Sequence, residues 1–99
     1  MPNAQQDAEI QVQRKRFTVH NKLGLHARAA AKIVQISNQF QSRICIIKNG
    51  READAKSMLD ILPLSCPRGT RLEVCAEGED AAEALAALAV LFDNKFGED

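Results

Sequence analysis

The chain has 99 residues, enough for one small domain and too few to divide a hydrophobic core between two. Its 45% hydrophobic and 26% charged content is that of a globular protein, and thirteen Lys and Arg against thirteen Asp and Glu argue against binding nucleic acid or anionic membranes by bulk charge. The balance is uneven along the chain: residues 14–56 carry ten bases against two acids, and residues 57–99 three bases against nine acids.

Residues 1–14 open with the polar run MPNAQQDAEIQVQ, which has little periodicity and no apolar core of a leader peptide; it is expected to be a disordered tail, with the domain at 15–99. No unbroken apolar run approaches the roughly 18 residues of a membrane span, so a cytoplasmic protein without membrane insertion is expected. Arg16 to His20 alternates Phe17 and Val19 with polar residues, the period of a half-buried strand. After the break at Asn21-Lys22-Leu23-Gly24-Leu25, the segment from His26 is rich in helix formers. Ala29, Ile33, Ile36 and Phe40 recur there at helical spacing.

Arg43 to Lys48 is β-branched and short, and Asn49-Gly50 is a strong two-residue hairpin signal leading into a strand over Arg51–Ala55. Ser57 caps a short apolar helix containing Met58, Leu59, Ile61, Leu62 and Leu64, which Pro63 and Pro67 help to end. Arg71–Ala76 alternates as a strand again. Asp80-Ala81-Ala82-Glu83 has the form of a capping box before a helix with Leu85, Leu88 and Phe92 on one face. The order β-α-β-β-α-β-α predicts an α+β domain, an antiparallel sheet covered by helices on one face. Cys45, Cys66 and Cys75 are odd in number and lack a C-x-x-C pair, which points to neither a disulfide framework nor a metal site. Cys45 and Cys75 fall in strands, and Cys66 is expected at the surface. His20 is expected to be a surface strand residue.

One constellation carries chemistry. Gly24-Leu25-His26-Ala27-Arg28 places a glycine turn, a histidine and an arginine at the entry of the first helix. With His26 as N-cap, the amides of Ala27, Arg28 and Ala29 are unpaired donors at the positive end of a helix, where anions bind. That setting suits a neutral histidine that attacks phosphorus and then carries the phosphoryl group, with Arg28 pairing the phosphoryl oxygens and Lys22 and Lys32 adding positive potential. Such a site needs neither a metal nor a cofactor. No second acid or base accompanies it, which counts against a complete enzyme.

These residues, with Ala55-Lys56-Ser57-Met58 and Arg68-Gly69-Thr70 leading to Ala76-Glu77-Gly78-Glu79-Asp80-Ala81, resemble the HPr phosphocarrier family of the phosphotransferase system over about residues 15–96. The opening Asn21-Lys22-Leu23-Gly24 and the close Leu91 to Asp99 look like its nitrogen-type, NPr-like branch. The resemblance implies an HPr-like open-faced sandwich, a four-stranded antiparallel sheet with three helices on one face. It implies a relay component that accepts a phosphoryl group from phosphorylated enzyme I and passes it to a IIA domain, for sugar uptake or for regulation. His26 matches the family's phosphoryl acceptor, which uses ring Nδ1, and Arg28 its phosphate-stabilising arginine. The backbone amides of Ala27 and Ala29 are expected in the phosphate cradle. Ser57 matches a regulatory serine that HPr kinase/phosphorylase modifies in some lineages, and Met58, Leu59 and Leu62 match the partner-docking patch. Ala29 departs from the pattern, since the family usually has proline there. A monomer is expected. A second reading is a regulatory module of the same fold that controls partner proteins by phosphorylation-dependent binding, without sugar transport. A third, an unrelated α+β module for RNA, a metal or a small ligand, is disfavoured by the lack of Tyr and Trp for base stacking and of a cysteine pair for metal.

Overall fold

The computed structural model describes residues 11–98. Along them run β1 (Val12–Thr18), α1 (Ala27–Ser37), β2 (Arg43–Lys48), β3 (Arg51–Asp54), α2 (Met58–Ile61), β4 (Arg71–Glu77) and α3 (Ala81–Asp93), with 3-10 turns at Leu62–Leu64 and Lys95–Gly97. The sheet order is β1-β4-β2-β3 with every neighbouring pair antiparallel. The expected order, sheet and helical layer are therefore all present.

Alternation decides which face of the sheet is covered. Phe17, Leu72, Val74, Ala76, Ile44, Ile46 and Ala53 are buried, while Glu73, Cys75, Cys45 and Ile47 between them are half-exposed on the other face. Helix α3 lies against β1, β4 and β2. Ala81 and Ala84 let it approach closely, and Leu85, Leu88 and Phe92 fill the space between. Phe92 stacks on Phe17 with ring centroids 4.6 Å apart, so the predicted stripe of the last helix meets the predicted stripe of the first strand. On α1 the buried residues are Ala29, Ala30, Ile33 and Ser37, whereas Ile36 and Phe40 pack at the core's margin. The β2–β3 hairpin turns at Asn49 and Gly50, both at positive φ (50° and 81°), as a two-residue turn of matching twist requires.

Four expectations need correction. Strand β1 starts at Val12 rather than near Lys15, so the expected tail at 1–14 gives up residues 12–14; residues 1–10 lie outside the described residues. Val12 to Lys15 is exposed on both faces and has no alternation to read. Pairing with β4, from Val12 opposite Glu77 to Lys15 opposite Val74, makes it a strand. The strand also ends at Thr18 instead of His20, although Val19 continues the pairing by donating to Thr70 O and accepting from Gly69 N. Asp80 occupies the N-cap of α3 but makes no cap bond: its carboxylate instead accepts from the backbone N–H groups of Gln41 and Ser42 and from the Ser42 hydroxyl. That long-range staple outcompetes the local capping box. Cys66 is buried, 5% exposed, because its carbonyl accepts from Leu25 N at 2.8 Å and the residue packs behind the loop that precedes α1.

Candidate functional site

Asn21 to Leu25 is a short loop held from two sides. Gly24 sits at φ +71°, and a Cβ there would overlap Cys66 O and lie 2.8 Å from Pro67 Cα, so only glycine fits both the conformation and the approach. Asn21, fully buried, accepts from Gly24 N through its carbonyl and returns a side-chain N–H to Gly24 O at 2.7 Å. The loop therefore delivers His26 to a fixed place at the head of α1.

His26 is the N-cap, with extended backbone (φ −75°, ψ −179°). The first intrahelical backbone bond is Ala30 N–H to His26 O, 2.9 Å. Arg28 N–H donates to His26 Nδ1 at 3.2 Å. On the opposite edge of the ring, Nε2 lies 2.7 Å from Glu98 Oε2. An amide can only donate and an ionised carboxylate can only accept, so the lone pair is on Nδ1 and the hydrogen on Nε2. The ring thus presents its nucleophilic nitrogen toward the helix N-terminus.

Ala27 and Arg28 are exposed beside that nitrogen, and Ala29 is wholly buried on the inner face of α1. The third position of the helix turns its methyl to the core, one turn before Ile33, while its amide, like those of Ala27 and Arg28, precedes the first intrahelical backbone bond, Ala30 N–H to His26 O. The Arg28 charge is felt at Glu98. The Asn21 amide above all, with His26 and then Arg28, holds the Glu98 carboxyl below the usual carboxylate range against the opposing effect of burial. Lys22 is exposed, but Lys32 is committed elsewhere, its ammonium donating to Phe96 O.

Glu98 and Asn21 are the site residues that sequence reasoning missed. Glu98 is 72 positions from His26 and arrives by a reversal after α3. Lys95, Phe96 and Gly97 take positive φ in succession (53°, 57° and 73°), which turns the chain back, and Phe96 is buried edge-on against Phe92 at 5.0 Å. A buried aromatic stranded beyond the last helix was the available signal.

Ser57 caps α2 as expected, its Oγ accepting from Asp60 N at 3.3 Å. Helix α2 packs beside α1 and tightens into the 3-10 turn at Pro63. Leu59 is 84% and Leu62 39% exposed, with Met58 packed at the core's edge. Leu23, 68% exposed in the loop before His26, is a further open apolar residue that sequence reasoning did not single out. Among the described residues no helix is long and apolar enough to cross a membrane.

The molecule is thus an open-faced α+β sandwich that presents one imidazole at a helix N-terminus, with its Nδ1 toward the helix amides and an arginine two residues on. The chain belongs to the HPr phosphocarrier family of the phosphotransferase system: the family model described as PTS HPr component phosphorylation site matches residues 13–94. It is 49% identical to the phosphocarrier protein HPr of Xylella fastidiosa over 84% of this chain and 93% of that one. It is 39% identical to the phosphocarrier protein NPr of Shewanella violacea over 85% of this chain and 92% of that one. Among solved structures, HPr of Thermoanaerobacter tengcongensis superposes with a TM-score of 0.85 at 39% identity, covering 88% of this chain and 98% of that one.

Proposed function

We propose that His26 accepts a phosphoryl group on Nδ1 from phosphorylated enzyme I and passes it to a IIA domain. The observation that carries this reading is the bond from Arg28 N–H to His26 Nδ1, which leaves that nitrogen unprotonated at the positive end of α1. As Nδ1 forms its bond to phosphorus, the donor's P–N bond breaks and its electron pair returns to the donor ring. The Arg28 amide, released from Nδ1, and the Arg28 guanidinium then face the phosphoryl oxygens. Exposed Leu59 and Leu62, with Met58 and Leu23, form the apolar surface on which both partners dock.

The test is transfer of label from phosphoenolpyruvate through enzyme I. The expected product is acid-labile, alkali-stable phosphate on the unaltered chain and none on His26→Ala. Absence of label from the unaltered chain, or its presence on both, overturns the assignment. Ser57 is proposed as a second, regulatory phosphorylation site: a phosphate there puts about two negative charges beside Met58 and Leu59 and repels an acidic partner. Incubation with HPr kinase/phosphorylase and ATP is expected to add one phosphate to the chain and none to Ser57→Ala; an unmodified chain refutes it.

A further inference from the structure

The acidic end of the chain is built to reach the histidine. Three successive left-handed residues, two of them not glycine, are an unfavourable backbone choice that persists only where surrounding contacts over-determine it. Here the contacts are specific: Phe96 is buried against Phe92, and the Lys32 ammonium holds the Phe96 carbonyl. Their joint result is to place Glu98, whose side chain is only 13% exposed, 2.7 Å from His26 Nε2. Its second oxygen does not face solvent either, since Asn21 Nδ2 donates to Glu98 Oε1 at 3.0 Å. Both amide hydrogens of Asn21 are thereby used, one on the loop before His26 and one on the carboxylate. One buried side chain ties the acid and the loop together.

Resting on the phosphocarrier reading, we propose that Glu98 is a positioning residue for phosphoryl transfer: carried by the hook at Lys95–Gly97 and oriented by Asn21, it fixes the His26 ring with Nε2 protonated and Nδ1 free. Two consequences follow from that placement. Before transfer, the carboxylate removes the alternative in which Nδ1 holds the hydrogen and cannot attack. During transfer, Nδ1 gives its lone pair to phosphorus while Nε2 keeps its hydrogen, so the ring becomes cationic, and the carboxylate against Nε2 strengthens its bond as that charge grows. When the phosphoryl group leaves for an acceptor, the electron pair returns to Nδ1 and the ring is neutral again with the same hydrogen on Nε2. No proton has to be exchanged with water in the cycle.

Glu98→Gln keeps the shape and removes the charge. It is expected to lower the maximal rate of phosphorylation by enzyme I about tenfold, the size of a lost charge-assisted bond, while the half-saturating concentration changes by less than about twofold. Nitrogen-15 shifts of the ring are expected to report Nε2–H alone in the unaltered chain and a mixture of tautomers in the variant. Lys32→Met, which touches neither the ring nor the carboxylate, is expected to produce a smaller loss in the same direction by loosening the hook, on the order of threefold. A Glu98→Gln protein with unchanged ring shifts and unchanged rate overturns the proposal while leaving His26 as acceptor. An unaltered chain that takes no label overturns the acceptor reading, and the ring shifts of Glu98→Gln then decide separately whether Glu98 sets the tautomer: unchanged shifts overturn that as well.

Discussion

Gly24→Ala is expected to be among the most costly single-methyl additions in this protein, and the structure allows its cost to be divided. An alanine at φ +71° carries a backbone penalty of ~1–2 kcal/mol. Its Cβ would overlap the Cys66 carbonyl and crowd Pro67 Cα at 2.8 Å, so the two segments must separate. Separation breaks the bond from Leu25 N to Cys66 O and strands a buried amide and carbonyl, at a further cost of about 1–3 kcal/mol. The total, about 2–5 kcal/mol, is a large part of the 5–15 kcal/mol typical of a small domain. Gly50→Ala supplies the control, because Gly50 also has positive φ (+81°) but nothing within 4 Å of a built Cβ; it is expected to lose only the backbone term. Urea unfolding of the two variants, with m-values matched to the parent, separates the terms. Equal destabilisation of both, within about 0.5 kcal/mol, would refute the claim that close approach to Cys66 and Pro67 fixes the loop before His26.

Phe96→Ala is expected to cost about 3–5 kcal/mol by leaving a cavity beside Phe92, and also to slow phosphorylation by releasing Glu98; stability measured by urea and rate measured with enzyme I check the two effects separately, and a destabilised protein with an unchanged rate would separate the hook from the site. Asp80 is held below its ordinary value of 3.8, first by the Ser42 hydroxyl and then by the Gln41 and Ser42 amides. Its folded pKa is therefore lower than its unfolded one, so its contribution is complete above the unfolded value and disappears as pH falls through the depressed folded value. Urea midpoints followed from neutral pH into acid are expected to fall less steeply in Asp80→Asn, from a lower starting stability, and parallel curves would contradict this. Ala29→Pro is expected to change the transfer rate by less than about threefold, since the position precedes the first intrahelical acceptor pair and a proline there removes no helical bond; a large rise in rate would show that the alanine impairs the site.

The elements legible in the sequence are those whose own pattern was sufficient. The hairpin at Asn49-Gly50 requires two positive φ values that these two residues tolerate. The last helix shows its buried face as Leu85, Leu88 and Phe92 without help from the rest of the chain. Where a partner decided the outcome, local reading failed. Val12–Arg14 has no strand pattern because both its faces are open, and β4 alone defines it. The capping box at Asp80 obeyed the local rule, but Gln41 and Ser42, 39 and 38 positions earlier, offered three donors to one carboxylate. Cys66 looked exposed because proline and arginine follow it, yet its carbonyl is what the loop before His26 leans on.

The same division explains the site. His26 and Arg28 were legible because an N-cap and the residue two positions later are set by one turn of backbone, and the resulting donor-to-Nδ1 bond follows from helix geometry. Glu98 was not legible, because every local signal near it describes a chain end after a helix. What brings it to the ring is the burial of Phe96, an event of tertiary packing that no spacing rule records. This also alters the meaning of the charge pattern along the chain. The basic middle and acidic end do not form separate faces at this point: one acid from the end is seated against the histidine, beside Arg28, before any phosphate arrives. At rest the opposite charges of Arg28 and Glu98 offset each other around a neutral ring. On the proposed reading, phosphorylation of His26 would add a dianionic group and one positive ring charge, so the local sum would move by only about one negative charge. A carrier that docks on one partner before transfer and another after it, as proposed above, would gain from that small change, because exposed Leu23 and Leu59 could then serve both encounters while the phosphoryl group alone distinguished them.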